Sequence, residues 1–493
     1  NNSRQIQARR IPLCTGDRVW HLFHTLAPGL LQPGDGITTM AITHFASTDT
    51  RLDEIGQAKI SKLAPRPTRL EDTGLSETFV ADLVAKHLLD RGALTIADLS
   101  SRLALAGSII EKVLNFMRGE ARIEVKPRTG NDQALSYSLT EAGRASALDA
   151  MMRSGYVGAA PVPLKHYARV ARAQTIHQRS VSKSAMRAAF NDVVIETELL
   201  DTLGPSLNSG RAIFLYGSAG TGKTYISKML SRLFYDLTLV PHAIVIDETV
   251  VQIFDHQLHK VVSHDPGDQR IMLERGHDPR FNVCERPVAI TGGELTAEML
   301  EIRHDPATRL YEAPLQLKAN NGIFLIDDLG RQRISPKALF NRWIVPLEEK
   351  RDYLDLGHGK HFSVPFDVIL MFSTNIHPLE LADEAFLRRV GYKIEFKSLS
   401  RDLYSRIWND TCNEVRVVCE PDVLDFVTQG LHTQHGVPLL PCHPRDLLGM
   451  AVDYAAYSDE PRRITKSHMQ WAWDNYFVKV ADYVAPADSQ SSF

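Results

Sequence analysis

Residues 212–224 read AIFLYGSAGTGKT, an apolar run followed at once by a glycine-rich loop that ends in Lys-Thr. The segment YISKMLSRLF, which has the composition of a helix, continues directly from the loop. A strand, a GxxxxGKT loop and a helix in this order form a phosphate-binding loop. The glycines let backbone N–H groups turn toward phosphate oxygens, and the helix N-terminus adds the positive end of its dipole. The stretch therefore predicts a nucleoside triphosphate site on an α/β fold.

The loop also carries the side chains that a nucleotide and its metal ion need. Lys223 is placed to reach the β and γ phosphates, and Thr224 offers a hydroxyl to Mg²⁺, a cation that takes oxygen ligands. We therefore predict ATP and Mg²⁺ as cofactors. The predicted nucleotide-binding residues of this motif are Gly217, Ser218, Ala219, Gly220, Thr221, Gly222, Lys223, Thr224 and Tyr225.

A second motif lies further along the chain, where GIFLIDDLG at residues 322–330 is an apolar strand that ends in two acids. Acids at the carboxyl end of a parallel strand lie beside the phosphate loop. We expect Asp327 to bind Mg²⁺, and Asp328 to orient and polarise the attacking water, because phosphoryl transfer depends on positioning and charge stabilisation.

The arrangement of apolar segments predicts an α/β core with a parallel sheet between helices. From residue 211 onward, the short strands AIFLY, IFLID, VILMFS and YKIEF alternate with helical segments. Ahead of this core, three helices, a hairpin and a further helix resemble a winged helix. The predicted organisation is a segment of unknown structure at 1–72, a winged-helix-like domain at 73–152, a basic connector at 153–200, the α/β core at 201–400 and a helical lid at 401–493.

Composition places the chain among soluble proteins with several domains. It has 493 residues, 44% of them hydrophobic and 23% charged, and its formal net charge of −3 argues against coating nucleic acid through the overall field. Five scattered cysteines without a CxxC motif suggest neither a disulfide framework nor a zinc ribbon, and no run is long enough to span a membrane. Histidines 256, 259, 264 and 277 near Cys284 match no familiar metal spacing. We expect a cytoplasmic protein.

In this order, the two motifs and the segments between them resemble the AAA+ ATPases, over about half of the chain (residues 190–450). The stretch RDYLDLGHGKHFSVPFD, at 351–367, resembles the pre-sensor 1 hairpin of one large clade that includes MoxR-like and remodelling ATPases. Family members usually carry Asp-Glu at the second motif, whereas this chain has Asp-Asp. The resemblance therefore implies ATP hydrolysis to ADP and phosphate, with a reduced rate where the acid is shorter.

The resemblance also assigns roles to residues outside the two motifs. Asn375, at the end of VILMFSTN, resembles the sensor 1 residue that positions the water. In DEAFLRRVGYKIEF, Arg389 is the first candidate for the arginine finger and Arg388 the second, although Arg388 could equally form a surface salt bridge. Arg445 in HPRDLLGMAV resembles sensor 2. The predicted adenine contacts are Val193 and Val194, and the predicted catalytic residues are Lys223, Asp328, Asn375, Arg389 and Arg388.

The resemblance implies a homo-oligomer, most simply a hexamer, that couples ATP hydrolysis to the remodelling of a protein partner. One alternative is a DNA-directed ATPase that uses the winged helix and the connector, which has no acid between residues 164 and 190. The recognition helix itself is only mildly basic, with Lys112 and Arg118 against Glu111. The other alternative is a slow ATPase that serves as a scaffold, with its assembly controlled by nucleotide. An insertion at 241–320 contains AIVIDETVVQIF, which alternates as a hairpin would and could reach a pore or a partner, or be ornamental.

Overall fold

The computed structural model describes residues 60–126, 135–178, 180–262, 276–357 and 359–477. Residues 1–59, most of the segment predicted to have no assigned structure, lie outside these ranges, as do His264 and the end of the predicted lid. We call residues 70–160 the N-terminal unit. Its elements are α1 Leu70–Thr73, α2 Glu77–Arg91, β1 Ala93–Thr95, α3 Ile96–Leu103, α4 Gly107–Gly119, β2 Ile123–Lys126, β3 Ser136–Leu139 and α5 Glu141–Arg153.

The remaining elements follow in chain order. From 162 to 252 they are β4 Val162–Pro163, α6 Leu164–Ala173, α7 Lys183–Ala189, α8 Thr197–Asn208, β5 Ala212–Tyr216, α9 Lys223–Met229, β6 Leu237–Pro241, β7 Ala243–Ile246 and β8 Thr249–Gln252. From 281 to 365 they are β9 Phe281–Glu285, β10 Val288–Thr291, β11 Arg303–Asp305, β12 Leu310–Glu312, α10 Leu315–Lys318, β13 Ile323–Ile326, α11 Pro336–Glu349, β14 Arg351–Asp355 and β15 His361–Pro365. From 369 to 476 they are β16 Ile369–Thr374, α12 Pro378–Leu381, α13 Glu384–Arg389, β17 Val390–Glu395, α14 Arg401–Val415, β18 Val418–Cys419, α15 Val423–Asp425, a π-helical segment Phe426–His432, α16 Thr433–His435, α17 Cys442–Tyr457, β19 Arg463–Ile464 and α18 Lys466–Tyr476.

A five-stranded sheet in the order β10-β13-β16-β5-β17 is the centre of the α/β core. All four pairings are parallel, as the predicted strands require, and β13 and β16 are buried along their whole length. One face packs on α11 through Leu339, Phe340 and Trp343, and the other packs on α8 and α9 through residues such as Leu203 and Ile226. Burial on both faces explains why these strands are continuous apolar runs.

The N-terminal unit combines its helices with the antiparallel sheet β1-β3-β2. Helix caps set its boundaries: the Ser76 hydroxyl accepts from the backbone N–H of Phe79 at the start of α2, and Thr95 caps α3 in the same way. One face of α4 is buried, and it carries Ile109, Ile110, Val113, Leu114 and Met117.

The predicted insertion hairpin is present, but it lies inside the fold. Strands β7 and β8 pair antiparallel within a second sheet, in the order β11-β12-β8-β7-β4. Alternate side chains of β7 are buried in two different hydrophobic cores. Ala243 and Val245 pack against the N-terminal unit, and Ile244 and Ile246 pack in the core on the other face of the sheet. The hairpin therefore does not project outward toward a pore; it is the layer between two packed units.

The segment at 351–367 also forms the predicted hairpin, since β14 and β15 pair antiparallel. Its apolar side chains Leu354, Leu356 and Val364 are buried in the same core as Ile244 and Tyr167. The hairpin is thus held against the second sheet.

A buried polar network fixes the connector to the α/β core. Asn321 Nδ2 donates to the Asp367 carboxylate and, at 2.8 Å, to the Ala171 carbonyl. Gln174 Nε2 donates to Asn321 Oδ1 at 2.9 Å, and the Thr175 hydroxyl donates to Asp367 Oδ1 at 2.6 Å. Because Asn321 precedes β13 and Asp367 precedes β16, the end of α6 is attached to the amino ends of the two central strands.

The predicted lid is a helical unit around Tyr404, Trp408, Leu447 and Trp473, which are contributed by α14, α17 and α18. In the ranges that the structure covers, no helix has both the length and the apolar character needed to cross a bilayer. The same ranges contain no group of three or more His, Cys, Asp or Glu side chains arranged to hold a metal ion.

Candidate nucleotide-binding site

The phosphate loop between β5 and α9 has a backbone that only glycine adopts easily at several positions. Gly217, Gly220 and Gly222 have φ angles of 140°, 79° and 87°. A side chain on Gly217 would also collide with the backbone carbonyl of Phe396, which directly follows β17. The loop can therefore turn tightly at the carboxyl end of the sheet, where Ala219 to Tyr225 line the cavity described below.

Lys223 folds over this loop from the first turn of α9. Its Nζ donates to the carbonyl oxygens of Gly217 at 2.8 Å and Ser218 at 2.9 Å, and to Asn375 Oδ1 at 2.9 Å. Burial lowers the pKa of Lys223, while Asp327 and Asp328 act in the opposite direction. The predicted phosphate-binding lysine and the predicted sensor 1 residue are thus direct neighbours.

Thr224 and Asp327 come together from two different elements. The Thr224 hydroxyl donates to Asp327 Oδ2 at 2.6 Å, which links the start of α9 to the end of β13. A hydroxyl and a carboxylate oxygen side by side are hard oxygen donors that suit Mg²⁺.

Asp328 is exposed in a turn that its neighbours hold. Its φ of 49° is in the left-handed region, and its backbone N–H donates to Asp327 Oδ1 at 3.1 Å. Gln332 Nε2 donates to the carbonyls of Asp327 at 2.8 Å and Asp328 at 3.2 Å, which fixes the turn. Sequence reasoning did not identify Gln332, because nothing in its local pattern marks it.

Most of the predicted nucleotide-site residues line one cavity, which has a volume of about 1020 Å³. It lies between the phosphate loop, the second motif, the segment before α8 and the lid. Of the predicted residues, it is lined by Val193, Val194, Ala219, Gly220, Thr221, Gly222, Lys223, Thr224, Tyr225, Asp327, Asp328, Asn375 and Arg445. This volume is large enough for a nucleotide, since small-molecule sites reach roughly 1,000 Å³.

The segment before α8 forms an apolar wall of the cavity. Val193 and Val194 line it together with Ile195 and Leu199, which sequence reasoning missed. The segment is anchored where Arg232 NH1 meets both carboxylate oxygens of Asp192, at 2.7 and 2.9 Å. An apolar wall opposite a phosphate loop suits a planar base.

The lid closes the opposite side of the cavity. Arg445 lies in the first turn of α17, exposed, and has no hydrogen-bond or ion-pair partner among the residues that the structure describes. Cys442 is packed so closely against the phosphate loop that a methyl group on Gly220 would meet its sulfur. The lid helix α14 adds Thr411 and Glu414 to the lining.

The two candidate finger arginines do not line the cavity of their own chain. On α13, Arg389 Nε pairs with Glu348 Oε1 of α11 at 2.7 Å, and its NH1 donates to the Ala385 carbonyl at 2.8 Å. Arg388 pairs with Glu384 at 2.7 Å, and its side chain is 75% exposed. The surface salt bridge foreseen for Arg388 is thus present.

Comparison with known proteins gives one domain match and several distant structural similarities. Residues 400–475, in the lid, match a domain of unknown function (DUF8689). No curated protein matches the chain. Among solved structures, NtrX from Brucella abortus is similar at 12% identity with a TM-score of 0.37, over 71% of this chain and 69% of that one. The RuvB Holliday junction branch migration motor of Thermotoga maritima is similar at 12% identity with a TM-score of 0.32, over 59% and 73%.

These scores are too low to support an inference about mechanism or partners. The chain's own features do define the fold class: an all-parallel central sheet, helices on both faces, a phosphate loop after β5, acids after β13 and a helical lid. This is an α/β fold in which a phosphate loop and two acids lie at the carboxyl edge of a parallel sheet.

Proposed function

We propose that this chain is an ATP-hydrolysing motor that works as an oligomer and remodels a protein partner. The observation that carries the proposal is the convergence of Lys223, Thr224, Asp327, Asp328 and Asn375 in one cavity. These groups supply what phosphoryl transfer to water needs: a cation for the phosphates, oxygen ligands for a metal ion, an acid for the water and a polar side chain to place it.

Thr224 and Asp327 would hold the Mg²⁺ ion, since their oxygens are adjacent and of the type that Mg²⁺ prefers. When bound, the ion neutralises negative charge on the β and γ phosphates. Lys223 exchanges its contacts with the loop carbonyls for phosphate oxygens, and the loop N–H groups bind the remaining phosphate oxygens. Asp328 accepts a hydrogen bond from the attacking water and aligns it, with Asn375 beside it.

The oligomer follows from the position of Arg389. It is outside the cavity of its own chain, so a finger role requires a neighbouring chain whose cavity it reaches. A guanidinium at the developing phosphate charge contributes about 10³- to 10⁵-fold in rate in related chemistry. A closed ring, most simply a hexamer, lets every subunit both give and receive such a residue.

The surface of the N-terminal unit favours a protein partner over DNA. On α4, the helix that a winged helix would insert into DNA, Lys112 is neutralised by Glu71 at 2.8 Å, and Glu111 is exposed beside it. Within the described ranges, that leaves Arg118 as the cation without a partner on this helix. We therefore assign the winged-helix-like unit a docking role toward protein.

One feature favours a second candidate, an ATPase directed by duplex nucleic acid. Lys165, Arg169 and Arg172 are exposed at helical spacing on one side of α6, and none of them has an acidic partner in the described part of the chain. A row of free cations can bind phosphates and release counterions, which makes such binding depend on salt.

Steady-state ATPase rates across protein concentration, with and without duplex DNA, separate these possibilities. We expect the rate per subunit to rise with concentration and to vanish in Lys223→Ala and Arg389→Ala, with ATP binding retained in the arginine variant. Strong stimulation by DNA that is lost in a Lys165→Gln, Arg169→Gln, Arg172→Gln variant would establish the second candidate instead. ATP-dependent oligomers with negligible turnover would indicate a nucleotide-controlled scaffold.

A further inference from the structure

Two cysteines of the lid lie against each other. Cys412 is in the last turn of α14 and Cys419 is in β18, and their sulfur atoms are 3.4 Å apart. Both residues are half-buried at the edge of the lid core. The other two described cysteines, Cys284 and Cys442, are not paired with a second cysteine.

The backbone brings this pair together by two independent constraints. Arg416, with a φ of 55°, ends α14 in the left-handed conformation, and the N–H of Val417 donates back to the Cys412 carbonyl at 3.0 Å. Strand β18 is held in turn by parallel pairing of Cys419 with Ile464. The closeness of the two sulfurs is therefore set by the fold rather than by flexible side chains.

The hydrogen bond between the two sulfur atoms makes the two thiols differ in acidity. The hydrogen bond between them lowers the pKa of Cys419 and raises that of Cys412, while burial raises both. Cys419 is thus the better thiolate, and the thiolate is the nucleophile in exchange with disulfides. A nucleophile and an adjacent second thiol are the two parts that such exchange requires.

We propose that Cys412 and Cys419 form a reversible thiol–disulfide exchange site that takes small disulfides such as oxidised glutathione. The Cys419 thiolate attacks one sulfur of the small disulfide, and the first small thiol leaves. Cys412, losing its proton, then attacks the Cys419 sulfur of the mixed disulfide, and the second small thiol leaves. The cysteine pair is oxidised by two electrons, and the small disulfide is reduced to two thiols.

Oxidation would act on the nucleotide cavity through α14. A disulfide needs the sulfurs at about 2.05 Å instead of 3.4 Å, and we expect part of this closure to draw the last turn of α14 toward β18. Thr411 and Glu414, on either side of Cys412, line the cavity. This second step rests on the proposed ATPase function: misplacement by about 1 Å can cost up to 10²-fold in rate, and we expect a loss of roughly three- to tenfold.

Peptide mass spectrometry of the full chain after incubation with oxidised glutathione tests the site itself, without any reference to ATPase activity. Trypsin cleaves after Arg416, between the two cysteines, so the disulfide appears as two linked peptides that a reducing agent separates. We expect this linkage in the unaltered protein and in Cys442→Ser, and its loss in Cys412→Ser and Cys419→Ser. Stable glutathione on Cys419 without linkage, or no modification of either residue, would overturn the proposal.

A second readout uses binding of a fluorescent ATP analogue and the ATPase rate before oxidation, after it, and after re-reduction. We expect the oxidised protein to lose activity and the reduced protein to regain it, with Cys412→Ser insensitive to the treatment. If the linked peptides form and both nucleotide readouts stay unchanged, the regulatory step is wrong although the exchange site stands. A protein that never hydrolyses ATP would contradict the proposed function and leave the peptide result as the test of the site.

Discussion

Gly217 occupies a position where both the backbone angle and the space exclude a side chain. A non-glycine residue at its φ of 140° costs about 1–3 kcal/mol, and a methyl group would also displace the Phe396 carbonyl. We expect Gly217→Ala to lower ATP affinity by roughly tenfold or more, since about 1.4 kcal/mol is tenfold. Fluorescent-nucleotide titration measures this.

Gly449 is the matched control, because it lies inside α17 and a methyl group added there would meet no atom within 4 Å. Gly449→Ala should keep ATP affinity and raise stability by about 0.5–1 kcal/mol, as Ala does in helix interiors. Equal nucleotide binding in the two variants would contradict the strained-loop account.

The left-handed backbone of Asp328 gives a physical reason for an aspartate at this position. Asp and Asn enter this region more readily than longer side chains do. Asp328→Asn keeps the backbone preference and removes the charge, so we expect normal ATP affinity and a kcat lower by about 10²-fold, a typical loss for a missing general base. Single-turnover hydrolysis checks this; an unchanged rate would show that another group orients the water.

At the scale of elements, the contact between α11 and α13 sets the direction of Arg389. Glu348 Oε1 lies 2.7 Å from its Nε in an ion pair that lacks hydrogen-bond geometry, and its NH1 donates to the Ala385 carbonyl, so the guanidinium is oriented before any neighbouring chain arrives. We expect Glu348→Gln to lower the concentration-dependent ATPase rate by roughly three- to tenfold, the scale of one ion pair worth about 1 kcal/mol.

Glu384→Gln provides the comparison, because it removes the equivalent partner of the exposed Arg388. That variant should hydrolyse ATP at the normal rate, since exposed pairs contribute little. The opposite ranking of the two variants would transfer the finger role from Arg389 to Arg388.

The lid contains a buried imidazole that makes its stability depend on pH. Burial, with His432 adding to it, lowers the pKa of His443 from 6.5 to about 4. The unfolded lid therefore binds a proton that the folded lid does not, so stability is present above pH 6.5 and is lost as the pH falls toward 4. Urea midpoints at about pH 7.5 and about pH 5 should differ in this direction, and His443→Phe should reduce the difference.

At the scale of the whole molecule, a buried ion pair joins the N-terminal unit to the segment just before β9. Arg280 binds the Asp278 carboxylate and donates to the carbonyls of Thr73 at 3.0 Å and Pro161 at 3.2 Å. Because its removal leaves a buried carboxylate unpaired, we expect Arg280→Ala to cost about 3–5 kcal/mol. Thermal denaturation measures the loss.

Arg303→Ala is the corresponding surface change, since Arg303 and Glu312 form a pair that is largely exposed. It should alter stability by no more than about 1 kcal/mol. Similar costs for the two substitutions would mean that Arg280 does not join the units.

Sequence patterns predicted the features that depend on residues close together in the chain. The phosphate loop, four of the five strands of the central sheet and both hairpins could be predicted from spacing and composition, whereas the edge strand β10 was taken as part of an insertion. The second sheet could not be predicted, because it joins Val162 and Tyr311 to β7 and β8 through pairings that no periodicity encodes. For the same reason the adjacency of Cys412 and Cys419, which depends on a left-handed turn at Arg416, was not foreseen.

The residues of the candidate site also fall into two groups, those in sequence motifs and those brought in by tertiary packing. Most motif residues named from the sequence line the cavity, although Gly217 and Ser218 do not, and their roles toward a nucleotide stay predictions. Gln332, Ile195 and Cys442 reach the site only through tertiary packing. The roles assigned to Arg389 and Arg445 remain predictions, since each concerns a contact with a nucleotide.

The central strands β13 and β16 have a mechanical consequence. Each carries a group that faces the nucleotide at one end, Asp327 or Asn375, and a group bonded to the connector network at the other, Asn321 or Asp367. The two ends are separated by about 20 to 26 Å of extended backbone, at about 3.3 Å per residue. Because both strands are paired on each side, we expect a displacement at the phosphate end to be transmitted to the end of α6 rather than absorbed within the sheet.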